Sequence, residues 1–201
     1  MNPAIANLRF ISQTGQEIET LIPGLALLRI GVFKDYPYLY EGDLAYEQNY
    51  LKIYSSCSQA FVFSVFDGDR MVGATTAIPL AQETAEVQKP FVDAGYEVSR
   101  IFYFGESLLL PQYRGLGIGH RFFDEREAHA ASFGSYTHTS FCSVDRGPSH
   151  PAKPADYRPN NVFWLKRQYT EMPHLQCTMS WLDIGEKQAT EKQMIFWIRG
   201  L

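Results

Sequence analysis

Between Leu108 and Ala130 the chain reads LLLPQYRGLGIGHRFFDEREAHA: an apolar strand that stops at Pro111, a turn with glycine at 115, 117 and 119, and then a charged helix. Few arrangements constrain a fold so tightly. Glycines at alternate positions let the backbone curl and leave consecutive N–H groups uncovered by any Cβ. The helix that follows adds its unpaired first N–H groups and the positive end of its dipole. Strand, turn and helix together make a site for an anion such as phosphate or pyrophosphate. The bland alternative is a connection whose glycines serve only close packing.

The spacing sorts the phosphate sites. A dinucleotide-binding turn needs G-x-G-x-x-G in a first βα unit with an acidic residue roughly 20 positions on, whereas this turn is G-x-G-x-G and lies mid-chain. A P-loop needs Gly-Lys-Ser/Thr, and here Gly119 is followed by His120 and Arg121. The segment instead resembles the acyl-CoA-binding motif of the GNAT acyltransferase superfamily, Arg/Gln-x-x-Gly-x-Gly/Ala. Arg114, Gly117 and Gly119 carry it, within the longer string Pro111-Gln112-Tyr113-Arg114-Gly115-Leu116-Gly117-Ile118-Gly119.

The remaining chain can be read against that resemblance. Its 201 residues with 45% apolar content suffice for one sizeable core, and no linker-like stretch divides them, so a single domain over 1–201 is expected. A formal charge of −4 and a pI near 5.7 argue against nucleic acid as partner. Cys57, Cys142 and Cys177 are odd in number and widely spaced, which predicts reduced thiols rather than disulfides or a zinc site. No run approaches a membrane span and the first residues lack a leader pattern, so a cytoplasmic protein without membrane partner is expected.

Periodicity predicts a first strand over 5–12, and then a helix carrying Leu21, Ile22, Leu25, Leu28 and Val32, with Pro23 in its first turn. After a turn-rich break, Asp43 is placed to cap a second helix with Tyr46, Tyr50, Ile53 and Tyr54 on one face. Phe61, Phe63 and Val65, then Asp67-Gly68-Asp69 and Met71 to Ile78, read as a hairpin. A polar segment of helix formers covers 81–95, a central strand 98–110, the post-turn helix 118–132 and another strand 136–144. Residues 146–159 hold four of eleven prolines and make a stiff loop. A short helix over 161–167 and strands over 175–184 and 194–198 complete the chain.

This order is similar to the whole GNAT fold. The resemblance implies an α/β (α+β) three-layer fold, with a mixed, mostly antiparallel sheet splayed around an acyl-CoA site between residues 99–110 and 136–144. It also implies transfer of acetyl from acetyl-CoA, or another acyl from its CoA thioester, to a primary amine by direct attack. Gly115, Leu116, Gly117, Ile118, Gly119 and His120 would hold the pyrophosphate, with Arg114 adding charge. A backbone N–H of Leu109, or of its neighbours Leu108 and Leu110, would stabilise the thioester oxygen as negative charge grows on it. Asn161 and Trp164 fall beside the pantetheine arm, although Asn161 serves equally as a helix cap.

Proton transfer is the less regular part. Glu106 is the acidic residue of the central strand and the candidate base. Many family members place theirs at positions matching Gly105 or Tyr103, and a strand bulge would reconcile the parity. Trp164 occupies the place of the family's tyrosine acid, so Tyr157 or Tyr169 is expected to protonate the leaving thiolate, unless water does. Tyr36, Tyr38, Tyr40, Tyr46 and Tyr50, interspersed with Glu41, Asp43 and Glu47, suit a cationic or aromatic small-molecule amine, or else simply pack the helices. Phe102, Phe104 and Phe141 are placed to limit acyl length. His138, His150 and His174 lack ligand spacing, and no metal is expected. The final strand could pair across a subunit boundary in a homodimer. A competing reading is a non-catalytic acyl-CoA-binding or regulatory module; a nucleotide-binding protein is a third.

Overall fold

A computed structural model describes residues 7–201; Ile5 and Ala6 of the expected first strand lie outside them. The sheet has the order β1 (Leu8–Thr14), β2 (Phe61–Asp67), β3 (Arg70–Pro79), β4 (Ile101–Tyr103), β6 (His138–Asp145), β8 (Thr190–Gly200) and β7 (Thr170–Trp181), while β5 (Ser107–Leu109) pairs with β3. Among the described residues only β4 and β6 run parallel; the other pairings are antiparallel.

Side-chain alternation separates two cores. On one face, α1 (Ile22–Phe33), α2 (Leu44–Tyr50), α3 (Lys52–Ser55) and α4 (Ala85–Asp93) cover Val62, Ala74, Ile78, Ile101, Leu108 and Phe196. On the other, α5 (Ile118–Ser132) and α6 (Asn161–Lys166) cover Phe61, Phe63, Val72, Phe102, Phe104, Phe141 and Trp197. Three layers result, as the resemblance implies.

The differences from the sequence reading have local causes. Asp43 caps α2, its Oδ1 accepting from the N–H of Tyr46 at 2.7 Å, but the expected long second helix is interrupted at Leu51. β7 begins at Thr170, well before the expected 175, because a bulge between Met172 and Gln176 absorbs Pro173. Proline has no N–H to give a ladder and is tolerated at such an edge bulge. β8 lies between β6 and β7, so both its edges are used and it cannot pair across a subunit boundary. The sheet ends instead at β7.

Two features position the site. Tyr103 pairs with Ile78 and Ser107 with Thr75, so one extra residue is inserted between β4 and β5. Phe102 and Phe104 therefore face α5, whereas Leu108 faces α1, and the even-numbered side chains change sides at the bulge. Gly105 makes this possible: a Cβ there would collide with the Tyr54 hydroxyl and stand 2.6 Å from Thr76 Oγ1. Beyond the bulge β5 follows β3, while β6 follows β8. Two strands that begin as parallel neighbours thus diverge.

Candidate active site

The divergence opens a cleft of about 900 Å3 that passes through the sheet. Arg114 and Gly119 line its mouth, Phe104, Gly105 and Glu106 its root, Phe141 to Gly147 its far wall, and the proline-rich loop with Asn161 and Trp164 its rim. Asp35, Tyr36 and Tyr38, from the segment after α1, line the opposite side.

At the mouth, Gly115 and Gly117 take φ of +77° and +85°, values that disfavour any side chain. Gly117 is the N-terminal cap of α5 and offers no side-chain bond to the helix. Its carbonyl receives the N–H of His120 at 3.1 Å and of Arg121 at 3.3 Å, so the N–H groups of Ile118 and Gly119 precede the first intrahelical bonds. A Cβ added at Gly115 or Gly117 meets no described atom within 4 Å, and one at Gly119 meets only Phe163, at 3.9 Å. The turn is therefore a concavity of N–H groups at a helix N-terminus, which fits a pyrophosphate. Arg114 is fixed beside it, its Nε donating to the carbonyl of Leu109 at 3.2 Å.

Along β5 the ladder decides which N–H groups are available. Leu110 donates to Val72 at 3.0 Å, and Thr76 donates to the Glu106 carbonyl at 3.1 Å; Leu108 is in the same phase, opposite Ala74. Antiparallel alternation then turns the N–H groups of Ser107 and Leu109 into the opening.

At the root lies a closed ionic cluster. Glu106, 6% exposed, is paired with Arg29 and bonded by Thr76 Oγ1. Tyr50 donates to it at 3.3 Å and Tyr54 at 3.2 Å. Arg29 is shared with the fully buried Glu47 and lies over the rings of Tyr50 and Phe33. Burial pulls the Arg29 guanidinium down, but Glu106, Tyr50 and Glu47 outweigh it and hold it above its ordinary value. Burial, with Glu106 adding, pushes the carboxyl of nearby Glu83 up to about 7.

No protein-family model matches the chain, and no curated protein matches its sequence. Solved structures do. An acetyltransferase described as of the GNAT family, from Desulfovibrio desulfuricans, superposes with a TM-score of 0.55 at 12% identity, covering 96% of this chain and 98% of that one. Arabidopsis thaliana NAA60, solved with a bisubstrate analogue, gives 0.60 at 11% identity over 96% and 98%. A ribosomal-protein-alanine N-acetyltransferase from Brucella melitensis gives 0.56 at 12% identity over 95% and 99%. The chain has the GNAT fold.

Within the GNAT fold, the residues singled out in the sequence separate into those the cleft gathers and those it does not. Glu106, Leu109, Arg114, Gly119, Tyr157, Asn161 and Trp164 all line it. Leu108 and Leu110 do not offer an N–H to it, since both face β3. Exposed His120 stacks its edge on Phe163. Tyr169 is the clearest exception: 1% exposed, it packs among Phe104, Phe123 and Phe141, and its hydroxyl is hydrogen-bonded to that of Thr139 at 2.8 Å and donates to Glu127 Oε1 at 3.4 Å. Burial raises its pKa, and nothing places it at the cleft. Tyr157 does stand there, edge-on to Tyr36 at 4.7 Å between centroids, with burial raising its pKa.

The expected tyrosine cluster also divides. Tyr36 and Tyr38 line the cleft, Tyr50 serves Glu106, and Tyr46 is 60% exposed on the surface. Glu47 turns inward to Arg29 rather than towards an acceptor.

Three arginines escaped the sequence reading. Arg29 is the lone charge in the apolar run LALLRIGV, and Arg126 follows Ile118 and Phe122 at four-residue spacing, on the buried stripe of α5. Arg146 pairs with Asp183 through two nitrogens, at 2.7 and 2.9 Å, and donates to the Pro37 carbonyl at 2.7 Å. It thereby fixes the Tyr36–Tyr38 wall to the tip of β7 and β8. A charge at a position of apolar periodicity was the available signal for Arg29 and Arg126; Arg146, between Asp145 and Gly147, carried none. Among the described residues there is no cluster of histidine, cysteine and acidic groups that could hold a metal, and no helix is long and apolar enough to cross a membrane.

Proposed function

We propose that this chain is an acyl-CoA-dependent N-acyltransferase that transfers an acyl group, acetyl in the simplest case, to the primary amine of a small molecule by direct attack. The observation that supports it most is the continuity of one cleft from the uncapped glycine turn of α5 to Glu106 at the bulge. A phosphate-only function would use the mouth and have no need of the root.

Acyl-CoA would supply an acyl carbon activated as a thioester. The chain's own groups then divide the work. The N–H groups around Gly117 to Gly119, with Arg114, hold the pyrophosphate; Asn161 and Trp164 flank the pantetheine arm. Leu109 N–H donates to the carbonyl oxygen as negative charge develops. Glu106 takes the proton of the attacking amine as the carbon–nitrogen bond forms, the amine replacing Tyr50, which at 3.3 Å is the longest of the four donors to the carboxylate. Tyr157, protonated near neutral pH as any tyrosine is and raised further by burial, donates to the departing sulfur as the carbon–sulfur bond breaks. The carboxylates of Asp35 and Asp156 and the rings of Tyr36 and Tyr38 on the acceptor side favour a cationic amine.

The test is turnover. Incubation with acetyl-CoA and a panel of diamines, aromatic amines and peptides is expected to release free thiol for one class of small amine. Saturable CoA binding with no release for any acceptor would overturn the catalytic reading in favour of a binding module, and displacement of CoA by ATP or NAD would overturn the cofactor.

A further inference from the structure

Among the described residues, Arg126 in the wall of the cleft is a buried cation without a carboxylate partner. It is 1% exposed, in the third turn of α5, with its guanidinium 4.2 Å from the ring centre of Phe104 and 4.6 Å from that of Phe123. Arg29 and Arg146, the other arginines so enclosed, each have carboxylates. Among the described residues no carboxylate forms an ion pair with Arg126. Its Nε donates to the Phe122 carbonyl at 3.2 Å and one terminal nitrogen to the Glu106 carbonyl at 3.3 Å. That carbonyl is already served by Thr75 Oγ1 at 2.6 Å and Thr76 N–H at 3.1 Å, which fill its two lone pairs. Holding the bulge therefore does not require an arginine. Burial pulls Arg126 down to about 10, further than Tyr169, Glu127 and Glu106 restore it. Five N–H donors in a planar fork match a carboxylate, and a buried charge is expected to have its counterion.

The counterion can come with the donor substrate. Arg126 lines the cleft at the level of the bulge, beside Phe104, Phe123 and Phe141, beyond the N–H groups that face a thioester. The geometry points to Arg126 as the receptor for a carboxylate at the far end of the acyl group, making the donor a dicarboxylic monothioester of CoA, such as succinyl-CoA. This rests on the acyl-CoA reading above and specifies its acyl group. In the transfer, the amine nitrogen bonds to the thioester carbon, the carbon–sulfur bond breaks to release CoA thiol, and the distal carboxylate passes unchanged into the product amide. An amine would leave as an acid.

Equilibrium binding tests this without knowledge of the acceptor. The full chain is titrated with CoA, butyryl-CoA and succinyl-CoA, the last two differing mainly in the terminal charge. Succinyl-CoA is expected to bind at least about tenfold more tightly than butyryl-CoA. Arg126→Met, which keeps the stem between the two rings, is expected to erase that difference and leave CoA affinity unchanged. Equal affinities for the two thioesters in the natural chain overturn the proposal, even if the variant fails to fold. So does an equal loss for CoA and both thioesters in Arg126→Met, which would place Arg126 on the pantetheine arm or in the scaffold. Failure of all three to bind would instead defeat the acyl-CoA reading itself.

Discussion

The mouth and the root of the cleft are built on opposite principles. At the mouth, Gly115, Gly117 and Gly119 present backbone donors that the described chain leaves uncovered. At the root, Glu106 is enclosed by an arginine and three hydroxyls. The first region is an open turn of unpaired donors; the second is a charge already solvated by protein. Backbone donors at a helix start cost little to leave in water, so they can be kept open for a ligand. A buried carboxylate has no such freedom and must be paired wherever the ligand is absent.

The strongest way to break this contrast is to remove the reactive charge at the root without altering its shape. Glu106→Gln is expected to lower kcat by about 10²–10⁴-fold while leaving the affinity for CoA within about twofold, as measured by steady-state thiol release and by calorimetric titration. A loss below tenfold would take Glu106 out of the proton-transfer role. Next in size is Arg29→Met, which strands Glu47 and Glu106 without their cation. Urea denaturation should show a loss of about 3–5 kcal/mol, and a change under about 1 kcal/mol would mean that the cluster is less enclosed than its burial implies.

The two regions were also unequally legible. The glycine turn could be read because its chemistry is local: three glycines, an arginine and a helix start lie within six residues, and main-chain geometry follows from residue type. The ionic cluster draws Arg29 from α1, Glu47 from α2, Tyr54 from α3, Thr76 from β3 and Glu106 from the bulge. Nothing in any one segment announces the others. Glu106 could be named from its strand, but not the side it faces, because the bulge that turns it depends on the register of β3 against β4 and β5. Tyr169 was misplaced for a related reason: its hydroxyl suggested chemistry, whereas Thr139 satisfies it inside an aromatic core.

A third contrast concerns pH. The Glu83 carboxyl is raised by burial from 4.5 to about 7. The folded chain then holds a proton that the unfolded chain has released, so this group's contribution to stability falls as pH rises from about 4.5 to about 7 and is flat above. Glu83→Gln is expected to be more stable than the natural chain at pH 8, by on the order of 3 kcal/mol at most, with the difference vanishing near pH 4.5. Parallel pH profiles for the two proteins would show that Glu83 is not desolvated. The smallest effect belongs to the mouth: Arg114→Gln, at an exposed position, should change stability by under about 0.5 kcal/mol yet weaken CoA by about tenfold.

The central claim is that the first turn of α5 holds the pyrophosphate of CoA, and the affinity of Gly119→Glu for CoA tests it most directly. A glutamate in the first turn of a helix, replacing glycine, should leave the fold as stable as before or up to about 1 kcal/mol more so. The same carboxylate occupies the concavity and repels phosphate. The account predicts an undiminished unfolding midpoint together with a loss of CoA affinity of at least about 100-fold. A folded Gly119→Glu protein that binds CoA as tightly as the natural chain would contradict it.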